Sequence, residues 1–341
     1  MRAFFLTDIR KTEIREIDPP NMSDDEVKLR VEMVGICGGD LNGYRGTFAL
    51  QEYPVVLGHE VGAIIEDVGK NVPDHLKPGM KVTISPYKNC GVCYSCTHGK
   101  PNACIDNRTM GVRRPGAMTT FITVPWKDVY SSAKLTTKEL ALVEPLTVGF
   151  HAVARGRVSE GEKVAVFGCG IVGMGVVAGA TAAGAEVIAI DIADKKLEDA
   201  IKAGAKYTIN TERQDLHQSL SDFTNGFGPD VVIEAVGLPS TFLSAVEEVA
   251  FTGRVVYIGY AKIPVEYDTK LFVQKELEVL GSRNCLGDFP DVIKMLEQGR
   301  FPVDHVISKQ ITMDEAGETI ADWDKNPGKY TKIMVDLRNE K

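Results

Sequence analysis

The chain has 341 residues, 44% of them hydrophobic and 25% charged, and its 39 basic and 47 acidic side chains leave a net charge of −8. That length suggests roughly two domains, and the composition is that of a globular protein without disordered or low-complexity tracts. The acidic balance argues against nucleic acid or an anionic membrane surface as the main partner.

In chain order, the opening MRAFFLTDIR lacks the long apolar core of a secretory signal. Residues 25–85 read as short strands and turns. EVKLRVEMVGIC, PVVLGHEVGAIIEDVG and MKVTISPYK are β-rich runs separated by Gly, Pro and Asn. They contain Cys37, His59 and Glu60, and Glu144 follows in VEPLTVG. Spacing alone does not join these four, because a His beside a Glu is ordinarily a surface or hydrogen-bonded pair.

Cys90, Cys93, Cys96 and Cys104 form C-x2-C-x2-C-x7-C among Gly, Ser, Asn and Lys. Four thiolates complete a tetrahedral zinc shell with no open position, so this site staples a loop and performs no chemistry. With 7 cysteines in all, an odd number and four of them clustered, a disulfide framework is not expected. A reduced, cytoplasmic protein is.

From about residue 160 the pattern alternates. KVAVFG is a strand and MGVVAGATAAGA a helix; EVIAID is a strand and ADKKLEDAIKAG a helix; PDVVIEAVG, RVVYIGY and LEVLGS are later strands. Strand–helix alternation implies a parallel sheet with right-handed crossovers. Val164–Ala185 is 22 residues without a charge, about the length of a membrane span, and includes Gly175-x-x-x-Gly179. Its six glycines and strand-like start argue instead for a water-soluble fold without a membrane partner. FPDVIKMLEQG then reads as a helix and YTKIMVDL as a final strand.

VAVFGCGIVG places Gly168, Gly170 and Gly173 in a G-x-G-x-x-G pattern, with Ile171 and Val172 inside it, after a strand and at the start of a helix. Gly168 permits the tight turn, Gly170 lets the backbone approach a pyrophosphate, and Gly173 allows close packing. Asp191 ends the next strand, where a carboxylate accepts both ribose hydroxyls and repels a 2′-phosphate. Ile192 and Ala193 follow it, with no arginine to offset that repulsion, which favours NAD over NADP.

CGGD, GHE, the four-cysteine lobe, EPL, VFGCGIVG and AID occur in one order along the chain. That order resembles the zinc-containing medium-chain dehydrogenase/reductases over essentially the whole sequence. Glu144 in an EPL context, HAVARG and GSRN look like the polyol and sugar-acid branch. The resemblance implies an α/β protein: a GroES-like β-rich catalytic domain at 1–147 and 282–341, with a zinc lobe at about 88–106, and a Rossmann NAD-binding domain at 148–281. It implies two zinc ions per chain. Cys37 and His59 would be ligands of the catalytic one and Glu60 the third ligand, directly or by exchange with water. Glu144 would sit on or near the metal, and Asp40 would orient His59. It also implies a homo-oligomer, tetramer or dimer, and oxidation of a secondary alcohol with hydride passing to NAD.

Two departures from the family stand out. Relatives carry Ser or Thr two residues after the ligand Cys and His five after it, as a proton relay; this chain has Gly39 and Asn42. Neither side chain can replace that relay, so the proton is expected to leave through Glu144 with water, or through Glu60. Gly62 also comes one residue before the family's usual glycine, with Ala63 in that place, which is expected to change packing and not ligands.

Arg283 resembles an arginine that reaches substrate oxygens, Arg113 and Arg114 fall where relatives line the substrate cleft, and Arg45 follows the first ligand segment. Together they suggest an acidic substrate of the galactonate or gulonate type, or else a polyol. The alternatives are a threonine, butanediol or sugar-phosphate dehydrogenase of the same fold, a zinc-ribbon binding module, and a non-catalytic dinucleotide-binding protein.

Overall fold

A computed structural model describes residues 1–340. The chain divides into two units. One contains Met1–Glu144, Phe289–Glu297 and the segment from Ile307 on; the other contains Pro145–Asp288 and Gln298–Val306.

The first unit is built on a seven-stranded sheet. Its order is Val129–Ser131, Lys81–Ile84, Glu60–Val68, Glu26–Ile36, Lys332–Asp336 and Ile307–Ile311, with Phe121–Pro125 also pairing to Glu26–Ile36. A second sheet orders Lys11–Glu16, Arg2–Asp8 and Val55–Val56. Along Glu26–Ile36, Val27, Leu29 and Val31 alternate inward, as a half-buried strand requires. From Met33 to Ile36 both faces are buried, so the strand runs into the interior just before Cys37.

The run PVVLGHEVGAIIEDVG is interrupted. Val55–Val56 pairs with Arg2–Asp8, Gly58 turns at φ +97°, and the second strand begins at Glu60. That break leaves His59 at a strand entrance. Gly62 is required where it stands: a Cβ there would lie 1.7 Å from the Thr137 carbonyl oxygen of helix Thr137–Leu140.

The second unit holds a six-stranded, wholly parallel sheet in the order Tyr207–Asn210, Glu186–Asp191, Lys163–Phe167, Val231–Glu234, Arg254–Tyr257, Glu278–Gly281. Central strands covered on both faces need continuous apolar sequence, and Val164, Ala165, Val166, Val231, Val232 and Ile233 are all fully buried. The strand order reverses beside Lys163–Phe167, the place where such sheets open a ligand crevice. The uncharged run from Val164 divides into that strand and the 12-residue helix Ile171–Ala182. Among the described residues no helix is long and apolar enough to cross a membrane.

Candidate metal centre and dinucleotide loop

Cys37 caps the N-terminus of helix Gly38–Tyr44. Its sulfur accepts from the Gly39 N–H at 3.3 Å, and its own N–H donates to Asp40 Oδ2 at 2.9 Å. This reciprocal cap fixes Cys37 and Asp40 together. His59 and Glu60 are buried beside them. The ligand atoms of Cys37, His59 and Glu60 lie within 4.8 Å of one another. A tetrahedral zinc ion separates its ligands by roughly 3–4 Å, so small movements would close this set around a cation.

Two atoms support the fit. Asp40 Oδ1 and His59 Nδ1 are both buried without a hydrogen-bond partner and stand 3.8 Å apart. They would satisfy each other if His59 turned its other nitrogen to a metal and presented Nδ1–H to Asp40. Burial disfavours charge on His59, but the Asp40 carboxylate and Cys37 sulfur outweigh it and hold the imidazole well above its usual pKa. Burial also raises the carboxyl pKa of Asp40 and of Glu144. Such a concentration of buried acidic groups suits a divalent cation.

Glu144 opens the helix Val143–Arg155 and is 4% exposed. It interacts electrostatically with His59 and Glu60 but is not one of the three converging ligands. Its Oε1 accepts the Tyr87 hydroxyl.

Glu60 has a partner that sequence reasoning missed. Lys332 Nζ donates to both of its carboxylate oxygens at 2.6 Å and to the Ile36 carbonyl at 3.1 Å. Gly35 makes the room, because a Cβ there would lie 1.8 Å from Glu60 Oε2. A lysine inside the otherwise apolar strand KIMV was the available signal. Tyr87 was also missed, and nothing in the sequence ties it to Glu144.

The four lobe cysteines converge as well, all sulfurs lying within 4.8 Å of one another. Cys90 and Cys96 sulfurs are 4.0 Å apart, those of Cys93 and Cys104 3.9 Å. The Ser95 hydroxyl and nearby backbone N–H groups draw the Cys93 thiol down to about 5, while burial and Cys93 push Cys96 up to about 12.

In the second unit, Gly168 turns at φ +89°, and a Cβ on Gly173 would lie 1.7 Å from the Gly168 carbonyl oxygen. Gly170 caps helix Ile171–Ala182 without a side-chain partner, and a Cβ on it would meet nothing within 4 Å. The helix N-terminus, including Ile171 and Val172, is therefore open to phosphate. Asp191 accepts the N–H groups of Cys169, Ile192 and Ala193 at 2.8, 2.8 and 3.0 Å. A carboxylate has about four acceptor sites, which leaves capacity for a ribose hydroxyl.

The arginines are placed differently from one another. Arg45 pairs with Asp324, at 2.6 Å to its carboxylate. Arg113 pairs with Asp106 and Glu52, and Arg114 donates to the carbonyls of Arg108 and Pro86. Arg283 is half-buried in the loop after strand Glu278–Gly281.

Residues 23–134 match the alcohol dehydrogenase GroES-like domain, and residues 172–298 match the zinc-binding dehydrogenase family. The sorbitol dehydrogenase of Bacillus subtilis is 31% identical over 98% of this chain and 97% of its own. The L-galactonate-5-dehydrogenase of Escherichia coli is 30% identical over 89% of each chain. A solved Escherichia coli alcohol dehydrogenase complexed with NADH superposes with a TM-score of 0.90 at 28% identity, covering 98% of this chain and 99% of that one. With its GroES-like and Rossmann parts, the chain belongs to the zinc-type alcohol dehydrogenases of the polyol and sugar-acid group, and is an NAD-dependent oxidoreductase.

Proposed function

We propose that the chain oxidises a secondary alcohol of a sugar acid of the galactonate or gulonate type, or of a polyol, to the ketone. The observation that carries this reading is the convergence of half-buried Cys37 with buried His59 and Glu60. Zinc supplies Lewis acidity toward the substrate hydroxyl, and NAD supplies the hydride acceptor. Cys37, His59 and Glu60 would hold the ion, and Asp40 would fix the His59 tautomer. The loop Gly168–Gly173 would bind the pyrophosphate and Asp191 the adenosine ribose. Cys90, Cys93, Cys96 and Cys104 would hold the second zinc.

Gly39 and Asn42 offer no relay for the substrate proton. Both Glu60 oxygens are engaged by Lys332, which favours Glu144 as the first proton acceptor. Burial raises the pKa of Glu144, which makes it a stronger base than an ordinary carboxylate.

The two curated relatives described above act on a neutral polyol and on an aldonate, so both chemistries stay within the reading. Arg283, Arg113 and Arg114 are the arginines we assign to an anionic substrate. The reading also includes a homo-oligomer, tetramer or dimer, and a cytoplasmic setting that keeps all seven cysteines reduced. Metal analysis with a steady-state panel of hexonates, uronates, polyols and threonine tests the proposal. Two zinc ions per chain and NAD-dependent turnover of hexonates or polyols are expected. One ion, or threonine as the best substrate, would overturn it, and neutral polyols surpassing all sugar acids would remove the role of these arginines.

A further inference from the structure

A catalytic zinc keeps one position open for substrate, whereas a structural zinc is closed by four protein ligands. Cys37, His59 and Glu60 already make three donors, and the acidic side chain of Glu144 is buried close enough for its charge to act on His59. If Glu144 entered the shell, it would close it. The hydroxyl of Tyr87, on the short strand Tyr87–Lys88 and 57 positions away in sequence, donates to Glu144. A buried carboxylate takes the orientation its donors dictate. This hydroxyl fixes one of the two oxygens of Glu144.

We propose that Tyr87 is a positioning residue that tethers Glu144 outside direct coordination and so keeps the fourth metal position open to substrate. The proposal rests on the metal reading above. It concerns geometry: Tyr87 acts through Glu144 and touches no reacting atom. Loss of the hydroxyl removes this restraint on the carboxylate.

The test uses the full-length enzyme with cobalt in place of the catalytic zinc, and compares Tyr87→Phe, Glu144→Gln and the double variant. The visible cobalt spectrum reports ligand number, and the rate of metal loss to a chelator reports how tightly the ion is held. Tyr87→Phe is expected to shift the spectrum and slow metal loss about 10-fold, the lower end of what partners of metal ligands contribute. Glu144→Gln is expected to leave the spectrum as in the parent, and the double variant to match Glu144→Gln. The proposal is overturned if Tyr87→Phe changes neither readout, if its effect persists in the Glu144→Gln background, or if Glu144→Gln alone loses a ligand band. Thermal melting of each variant shows that it is folded; if Tyr87→Phe is not, the Glu144→Gln spectrum still decides whether Glu144 lies outside the shell. Zinc analysis of the parent comes first: a single ion per chain would sink the metal reading itself, whereas two ions with unchanged variants would sink only the tether.

Discussion

Lys332 Nζ stands 2.6 Å from both carboxylate oxygens of Glu60, with the lysine 1% and the glutamate 0% exposed. Removing one member of a buried pair strands the other charge and costs about 3–5 kcal/mol. Lys332→Met is therefore expected to lower unfolding free energy by about that amount in urea titration. Adding Glu60→Gln should restore part of the loss, because the uncompensated charge is gone. If Lys332→Met is as stable as the parent, the pair is not a structural element of this site.

Gly39 can accept a side chain. A Cβ built there would lie 3.6 Å from Cys37 Sγ, an ordinary contact. Gly39→Thr should fold and introduce the hydroxyl that this position lacks. On the proposed route through Glu144, kcat/KM near neutral pH should change by less than about 10-fold, below the roughly 10²-fold that a positioned proton donor or acceptor contributes. A much larger rise would show that no other route operates.

Asp191 is expected to set cofactor preference. A hydrogen bond to a charged group is worth about 1.5–3 kcal/mol. Asp191→Asn should therefore raise KM for NAD by roughly 10- to 100-fold and narrow discrimination against NADP, since the repulsion of a 2′-phosphate is removed. Steady-state kinetics with both cofactors measures this, and unchanged selectivity would separate Asp191 from the ribose.

Glu186 gives a stability signature at acid pH. It accepts Lys163 at 2.7 Å and pairs with Lys206, and the two ammonium groups lower its pKa from 4.5 to about 2. A depressed folded pKa means that the contribution is fully present above about pH 4.5 and disappears as pH falls toward 2. Its side chain is 34% exposed, so the effect is modest and screened by salt. Glu186→Gln should flatten the loss of melting temperature over that acid range and leave its shape at neutral pH unchanged.

The lobe sulfurs should hold metal independently of catalysis. Cys93→Ser is expected to reduce zinc from two ions per chain to one and to lower the melting temperature. Mass-spectrometric metal analysis with thermal melting checks this, and retention of both ions would remove Cys93 from the ligand set.

Sequence revealed local chemistry better than long-range pairing. The strands Lys163–Phe167, Glu186–Asp191 and Val231–Glu234 were legible because doubly buried strands need unbroken apolar runs. The four cysteines were legible because their spacing is short and distinctive. Cys37, His59 and Glu60 could not be joined by spacing, and their assignment depended on resemblance. Lys332 carried a signal, a lysine in an otherwise apolar strand, and Tyr87 none; the partners of both were illegible, because they are set by sheet register and by a helix entering from elsewhere in the chain. The arginines were the weakest readings: a guanidinium finds carboxylates wherever the fold offers them, as Arg45 does at Asp324.

The central placement of strand Lys332–Asp336, between Glu26–Ile36 and Ile307–Ile311, bears on the order of biosynthesis. Glu60 leaves the ribosome 272 residues ahead of the ammonium that neutralises it. At about 5–20 residues per second that is a delay of roughly 15–50 s. Throughout it the nascent first sheet lacks an interior strand, whereas the parallel sheet, drawn from one contiguous stretch, can already assemble. Until then the buried carboxylate of Glu60 has no ammonium to pair with, so this corner of the first sheet closes last.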